Sequence, residues 1–117
     1  QGANQLIADL PAAFAQAIGM TGTQVFLSQA TLEKNLAHHP DVSAADYERL
    51  PLLIRNPDLV IQDGERTLIA TKDASGLWLA AIKSTQTGQA AFVTSFRRTT
   101  ERDIARKLKQ GTVLHAT

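Results

Sequence analysis

The stretch DLVIQDGERTLIATKDASGLWLAAIKSTQTGQAAFVTSF, residues 58–96, decides the fold of this chain. It holds four runs rich in β-branched and other apolar side chains, each bounded by residues that favour turns. The runs are residues 58–62, 66–72, 77–84 and 89–96. Asp-Gly at 63–64 is a strong hairpin signal. Because connections this short join antiparallel neighbours, the sequence predicts an antiparallel β-meander.

The last hairpin of the meander predicts which side chains share a sheet face. A four-residue turn that pairs Ser84 with Gln89 places Lys83 on one face with several side chains of the last strand. Those side chains are Ala90, Phe92, Thr94 and Phe96. In that register Thr94 lies opposite Leu79, roughly 13 Å along the strand from Lys83. A one-residue slip puts Ser95 there in place of Thr94.

The residues before the meander predict helices and one strand. Residues 4–18 are apolar and indicate a helix that ends at Gly19, with Pro11 at a kink or a helix start. Residues 23–27 indicate a short strand. The N-terminal helices are therefore expected to precede the sheet in the chain.

Two further helices are expected before the meander begins. Ser28 is suited to cap a helix over residues 29–37, which ends before Pro40. Residues 43–46 (SAAD) resemble a capping box for the next helix, which Pro51 should kink or split.

A last helix and an edge strand follow the meander. Thr100 is suited to cap the helix, Ile104 and Leu108 give it an apolar stripe, and Gly111 ends it. Residues 112–115 indicate an edge strand. The fold class expected is α+β, with N-terminal helices packed on an antiparallel β-meander of four or five strands.

Length and composition indicate one domain. The 117 residues suit a single domain, in which we expect residues 1–22 to form an N-terminal helical extension. The chain has no cysteine, which excludes disulfides, cysteine zinc sites and a thiol nucleophile. Its apolar stretches are too interrupted for a membrane span. It begins with Gln1, so we expect a piece of a longer protein.

The charge is unevenly distributed along the chain. Residues 1–92 carry six basic and nine acidic side chains, whereas residues 93–117 carry six basic and two acidic ones. The basic side chains of the second segment are Arg97, Arg98, Arg102, Arg106, Lys107 and Lys109. This cluster predicts a surface for an anionic partner, and the alternative is an ordinary solvated helix face.

The order of short motifs from His38 to Phe96 carries a resemblance to a known family. The motifs are HHPDVSAADYERLPLLIRNPDLV, then IKST within the meander, then VTSF. This pattern resembles the phage-associated nuclease domains of the barnase–EndoU–colicin–RelE-like superfamily. Such domains occur at the C-terminus of Mu-type head-morphogenesis proteins and of bacterial polymorphic toxins. The resemblance covers about residues 28–110.

Membership would imply a toxin-type endoribonuclease. The resemblance implies RNA cleavage by metal-independent 2′-OH transesterification, commonly of tRNA, with no cofactor. It also implies a cognate immunity protein and a role in bacterial competition. The domain would be secreted or delivered as part of a larger bacterial protein and act in the target-cell cytoplasm. We expect a monomer.

Metal-free RNA cleavage needs proton transfer and a cation for the phosphate charge. His39 corresponds to the family's His-Pro position, and the adjacent His38 is the second candidate. Lys83 is the candidate phosphate-binding cation, and Thr94 and Ser95 offer hydroxyls. The alternative is that the histidines cap a helix, Lys83 is an ordinary edge lysine and the hydroxyls are structural. No metal site is expected.

RNA binding is assigned to basic residues outside that set. They are Arg97, Arg98, Arg102, Arg106, Lys107 and Lys34. Tyr47, Trp78 and the phenylalanines are expected in the core, so recognition is expected through RNA backbone and shape rather than base stacking.

Two other functions compete with cleavage. The chain could be a non-catalytic module of a phage or toxin protein that binds nucleic acid or a partner through its basic helix. An ADP-ribosyl transferase ranks lowest, because the sequence lacks an early Arg and a catalytic Glu at suitable spacing.

Overall fold

The computed structural model describes residues 3–117, which form a seven-stranded mixed β-sheet with helices on both faces. The strands are β1 (Asn4–Asp9), β2 (Gln24–Ser28), β3 (Leu59–Gln62), β4 (Thr67–Asp73), β5 (Leu77–Ser84), β6 (Ala91–Arg98) and β7 (Thr112–Ala116). The helices are α1 (Ala12–Ala17), α2 (Gln29–His38), a 3₁₀ helix (Ala44–Arg49), α3 (Leu50–Arg55) and α4 (Glu101–Gln110). The sheet order is β1-β2-β6-β5-β4-β3-β7.

The predicted meander is present as β3 to β6, and the α+β class is confirmed. The Asp63-Gly64 turn closes its first hairpin, with Gly64 at a φ of +88° that favours glycine. The prediction of four or five purely antiparallel strands is wrong. β1, β2 and β7 extend the sheet to seven strands, and β2 pairs with β6 in parallel.

The predicted helix over residues 4–18 is also wrong in its first half. Residues 4–9 form β1, which pairs antiparallel with β2, and only α1 is helical. Pro11 occupies the helix start with an extended ψ of 138°, so the chain enters α1 from a strand. Gly19, at a φ of +75°, follows the helix as expected.

The other local signals hold. Ser28 caps α2 by accepting a hydrogen bond from the Thr31 N–H, and Ser43 and Asp46 form the capping box. The segment that follows this capping box is split near Pro51, as predicted: the 3₁₀ helix ends at Arg49, and α3 begins at Leu50 with Pro51 in its first turn. Thr100 caps α4, and β7 forms an edge strand.

The parallel contact of β2 with β6 is short, and a side chain continues it. The ladder consists of Val25 with Ala91 and Phe26 with Phe92, and the chain then turns into α2 at Ser28. Farther along β6, the Asn35 amide Nδ2 donates to the Phe96 carbonyl, and the Phe96 N–H donates to Asn35 Oδ1.

The register between β5 and β6 differs from the prediction. Ser84 pairs with Ala91 rather than Gln89, because the Thr85 N–H donates to the Ala90 carbonyl and lengthens the turn. A bulge between Ala81 and Ile82 then makes Thr94 the extra residue of β6. The pairs are Lys83 with Phe92, Ala81 with Ser95 and Leu79 with Arg97. Thr94 therefore does not lie opposite Leu79.

The sheet separates two apolar clusters. The larger core, which we call the helix side, packs α1, α2 and α3 on one face and includes Val25, Leu53, Ala80, Val93 and Phe96. Ile61, Ile69 and Leu79 form a smaller cluster on the other face. That face carries α4, whose Asp103 binds Arg97 of β6. At the end of α4, a Cβ on Gly111 would lie 2.5 Å from Ile61 Cγ2, so glycine permits the close approach.

We expect Asn35→Ala to lower the free energy of unfolding by about 2–3 kcal/mol, because the buried Phe96 N–H and carbonyl lose their partners. Urea unfolding followed by fluorescence would measure it. Asn56→Ala is the control, since that asparagine is exposed, and it should change stability by less than about 0.5 kcal/mol. Equal effects of the two substitutions would contradict the role assigned to Asn35.

Candidate nucleic-acid interface

Five side chains form a row across the face of the sheet that carries α4. Leu6 pairs with Phe26, Phe26 with Phe92, Phe92 with Lys83, and Lys83 with Thr67, which joins five adjacent strands. We call these five residues the open row. The residues next to them in β2, β6, β5 and β4 belong to the helix-side core. Because side chains alternate along a strand, Phe26, Phe92, Lys83 and Thr67 face the other way. Leu6 ends the row on the edge strand, next to a bulge, and also borders a cavity on the helix side.

The open row is accessible. Leu6 is 49% exposed, Lys83 is exposed, and Phe26, Phe92 and Thr67 are half-buried. The two phenylalanine rings contact each other, with centroids 5.8 Å apart. Neither ring belongs to either apolar cluster. The expectation that the phenylalanines lie in the core is therefore wrong for this pair.

Three predicted site residues come together at the open row. Ser95 pairs with Ala81, two residues from Lys83 on the same face, so the lysine and the serine are diagonal neighbours about 7–8 Å apart at Cα. Thr94 is exposed at the bulge, and its Oγ1 donates to the Ala81 carbonyl at 3.3 Å. Lys83 has no ion-pair partner within residues 3–117.

The histidines lie elsewhere. His38 ends α2 and is exposed, while the half-buried His39 caps it and donates its N–H to the Asn35 carbonyl at 2.9 Å. Asn35 contacts Phe96, which lies opposite Ala80, three residues or about 10 Å along β5 from Lys83. Since α2 runs on in the same sense as β6, the structure does not bring His39 to Lys83. Their separate catalytic roles stay predictions.

Arg97 and Arg98, which the sequence assigns to RNA binding, do not lie side by side on one surface. Both lie within β6, where alternation sends them to opposite faces. Arg97 Nη2 binds Asp103 Oδ2 at 3.0 Å on the α4 face. The Arg98 guanidinium lies 4.4 Å from the ring centre of Trp78 on the helix side. Trp78 and Phe96 are fully buried, as predicted.

Asp103 of α4 forms ion pairs with two arginines, Arg97 and Arg106. Partial burial raises its pKa, but hydrogen bonds from Thr99, Arg106 and Arg97 outweigh that effect and hold the pKa of Asp103 at about 2. Two cations of the basic segment are therefore held by this carboxylate. Those of α4 without an ion pair in the described part of the chain are Arg102, Lys107 and Lys109.

The basic end of α4 lies at the same end of the sheet as the open row. Gly111 follows α4 and lies against Gln62, which pairs with Leu68, the neighbour of Thr67. Lys107 and Lys109 occupy the last turn of the helix. By contrast, the predicted RNA contact Lys34 is exposed on α2, on the helix side.

Two surface cavities do not include the predicted catalytic residues. One of about 330 Å³ lies between β1, α2 and the 3₁₀ helix, and one of about 150 Å³ lies beside Trp78. In residues 3–117, no three His, Asp or Glu side chains are grouped so as to hold a metal ion. None of the helices described is long and apolar enough to cross a membrane.

We expect Asp103→Asn to lower the free energy of unfolding by about 1–2 kcal/mol at pH 7, because Arg97 and Arg106 lose a charged acceptor. Because the pKa of Asp103 is lower in the folded protein than its ordinary value of 3.8, the ionised carboxylate stabilises the fold above that pH. This stabilisation is lost as the pH falls to about 2 and the carboxylate is protonated. The difference between wild type and variant should therefore shrink from pH 4 to pH 2 in urea unfolding. Glu101→Gln, an exposed acid in the same helix turn, is the control. A difference independent of pH would contradict this account.

Comparison with protein-family models, curated proteins and solved structures finds no match to this chain. The resemblance to the barnase–EndoU–colicin–RelE-like nuclease domains therefore stays a prediction. What it implies about activity, substrate and partners belongs to the proposal that follows.

Proposed function

We propose that this domain binds RNA across the open row and cleaves it by metal-independent attack of a 2′-hydroxyl on the adjacent phosphate. One observation carries the proposal: Lys83, exposed and without an ion pair in residues 3–117, lies on β5 beside Phe92, Thr94 and Ser95 of β6, on the face of the sheet that carries α4. The basic end of α4 adds positive charge at the same end of the sheet.

The chemistry assigns a role to each of these side chains. In the reaction the 2′-oxygen forms a bond to phosphorus, the bond from phosphorus to the 5′-oxygen breaks, and the 2′-hydroxyl proton passes to solvent. The Lys83 ammonium stabilises the charge on the phosphoryl oxygens and protonates the leaving 5′-oxygen. The Ser95 hydroxyl orients the phosphate by a hydrogen bond, and the Thr94 hydroxyl does so once it exchanges the Ala81 carbonyl for a phosphate oxygen. His39 and His38, at the end of α2 on the helix side, have no role in this arrangement of the reaction.

The biological setting of the proposal comes from the resemblance. The substrate would be tRNA, and the domain would act as a monomeric toxin in the cytoplasm of a target bacterium. It would be delivered within a larger protein and held inactive in the producing cell by an immunity protein.

The separation of His39 from Lys83 favours a second candidate function. A domain whose imidazoles and ammonium group do not share a phosphate can bind RNA without cleaving it. Such a non-catalytic module would use the same open row and the same basic helix end, and its binding would weaken steeply as salt rises.

Incubation of the domain with total RNA in EDTA tests the proposal. We expect discrete fragments with 2′,3′-cyclic phosphate ends from the wild type. Lys83→Ala should lower the cleavage rate at least about 100-fold, because one positioned acid contributes about that much. Arg55→Ala is the matched control, since it removes the same charge from an exposed position on α3 at the helix side.

Two results would overturn the assignment. Intact RNA after incubation with the folded wild type, together with salt-sensitive RNA binding, would leave the binding module as the function. Equal rates for Lys83→Ala and Arg55→Ala would remove Lys83 from the reaction while leaving cleavage in place.

A further inference from the structure

We infer that Phe26 and Phe92 stack on the base of an unpaired nucleotide, so that the RNA bound at the open row is single-stranded. This inference rests on the proposed function and names its substrate class. It assigns recognition to two aromatic residues that neither the sequence pattern nor the charge distribution pointed to.

The first argument is that the rings lie outside both cores. Val25 and Leu27 flank Phe26, Ala91 and Val93 flank Phe92, and all four are buried on the helix side. The smaller cluster of Ile61, Ile69 and Leu79 on the α4 face does not include either ring. The two rings are half-buried against each other, with centroids 5.8 Å apart and planes inclined by 35°. They therefore present aromatic surface to whatever covers this part of the sheet.

The second argument is that apolar and cationic groups meet within the row. Phe92 pairs directly with Lys83, so the ring and the ammonium stem lie on adjacent strands about 5 Å apart. The row thus changes from apolar at Phe26 to positively charged at Lys83 over about 10 Å. A nucleotide has the same division, with a planar base beside an anionic phosphate.

The third argument concerns charge around the row. Lys83 has no carboxylate partner within residues 3–117, and the last turn of α4 brings Lys107 and Lys109 to the same end of the sheet. A second copy of this chain or an apolar protein partner would bury Lys83 against its own charge or without a counter-ion, which is costly. An RNA strand, by contrast, places an anionic phosphate next to the Lys83 ammonium group.

Stacking on these rings requires that the base be unpaired. In a double helix each base is already stacked on its neighbours, and an aromatic side chain can contact only a base that has been released. Aromatic residues on an exposed sheet, combined with nearby cations, are a general means of binding single strands.

Fluorescence anisotropy with a labelled, unstructured RNA of about ten nucleotides tests the inference. Full 2′-O-methylation blocks the attacking hydroxyl, so binding is measured without cleavage. We expect Phe92→Leu and Phe26→Leu each to weaken binding by about tenfold or more, and Phe92→Trp to retain it, because base–aromatic stacking is lost or kept. Phe14→Leu is the matched control, since Phe14 is a half-buried phenylalanine on the helix side. Thermal melting of each variant verifies folding.

Two further ligands separate stacking from charge. An RNA of the same length without bases should bind weakly and equally to the wild type and to Phe92→Leu. A fully paired hairpin should bind both proteins alike. Tight binding of the base-free strand, or undiminished binding of the intact strand by Phe92→Leu, would overturn the inference. A wild-type dimer that Phe92→Leu converts to a monomer would also overturn it, since a second copy would then cover the rings.

The outcomes separate this inference from the proposed function. If the wild type cleaves RNA and Phe92→Leu leaves the KM for single strands unchanged, the stacking platform is rejected and cleavage stands. If the wild type binds single strands through the rings and never cleaves them, cleavage is rejected and the platform stands.

Discussion

The side-chain amide of Asn35 is the contact on which the arrangement of α2 against the sheet depends. β2 stops pairing with β6 after Phe92, yet the fully buried Phe96 farther along still needs partners for its N–H and carbonyl. One carboxamide has a donor and an acceptor and satisfies both groups, as a strand residue would. The same amide donates to the Tyr47 hydroxyl, which fixes the 3₁₀ helix to this end of the sheet. The C-terminal end of α2, with its two histidines, follows from this placement.

The bulge at Thr94 decides which residues of β6 belong to which face. One extra residue reverses the alternation, so Phe92 and Ser95 share the open side while Phe96 and Arg98 turn to the helix side. Phe96 then stacks on Trp78, with ring centroids 5.2 Å apart. Without the bulge, Ser95 would enter the core and Phe96 would lie on the open face. The core and the candidate interface therefore depend on the same local irregularity.

Much of the fold could be predicted from the sequence because the signals are local. The meander turns, the caps at Ser28 and Thr100 and the break at Pro51 each depend on a few neighbouring residues. The pairing of β2 with β6 joins positions more than sixty residues apart, and nothing local announces it. Residues 4–9 are apolar enough to form either a helix or a strand. They form a strand because they pair with β2, a contact that their own sequence does not reveal. The sequence does contain one signal for the role of Asn35: it is a polar residue three positions after Leu32, on the apolar face of a predicted helix, where a buried amide needs hydrogen-bond partners.

The candidate interface was harder to predict, because charge counted along the chain differs from charge available on the surface. In the sequence the basic segment is one cluster of six cations, but in the fold three of them already have partners. Arg97 and Arg106 are held by Asp103, and Arg98 lies on Trp78. A carboxylate beside an arginine offsets its charge and occupies some of its five N–H donors, so a paired arginine attracts a phosphate less strongly than a free cation does. Lys83 is the one charged residue of β5 and has no ion pair in the part of the chain that the structure describes, so we expect an anion to bind at the sheet face rather than at the end of β6.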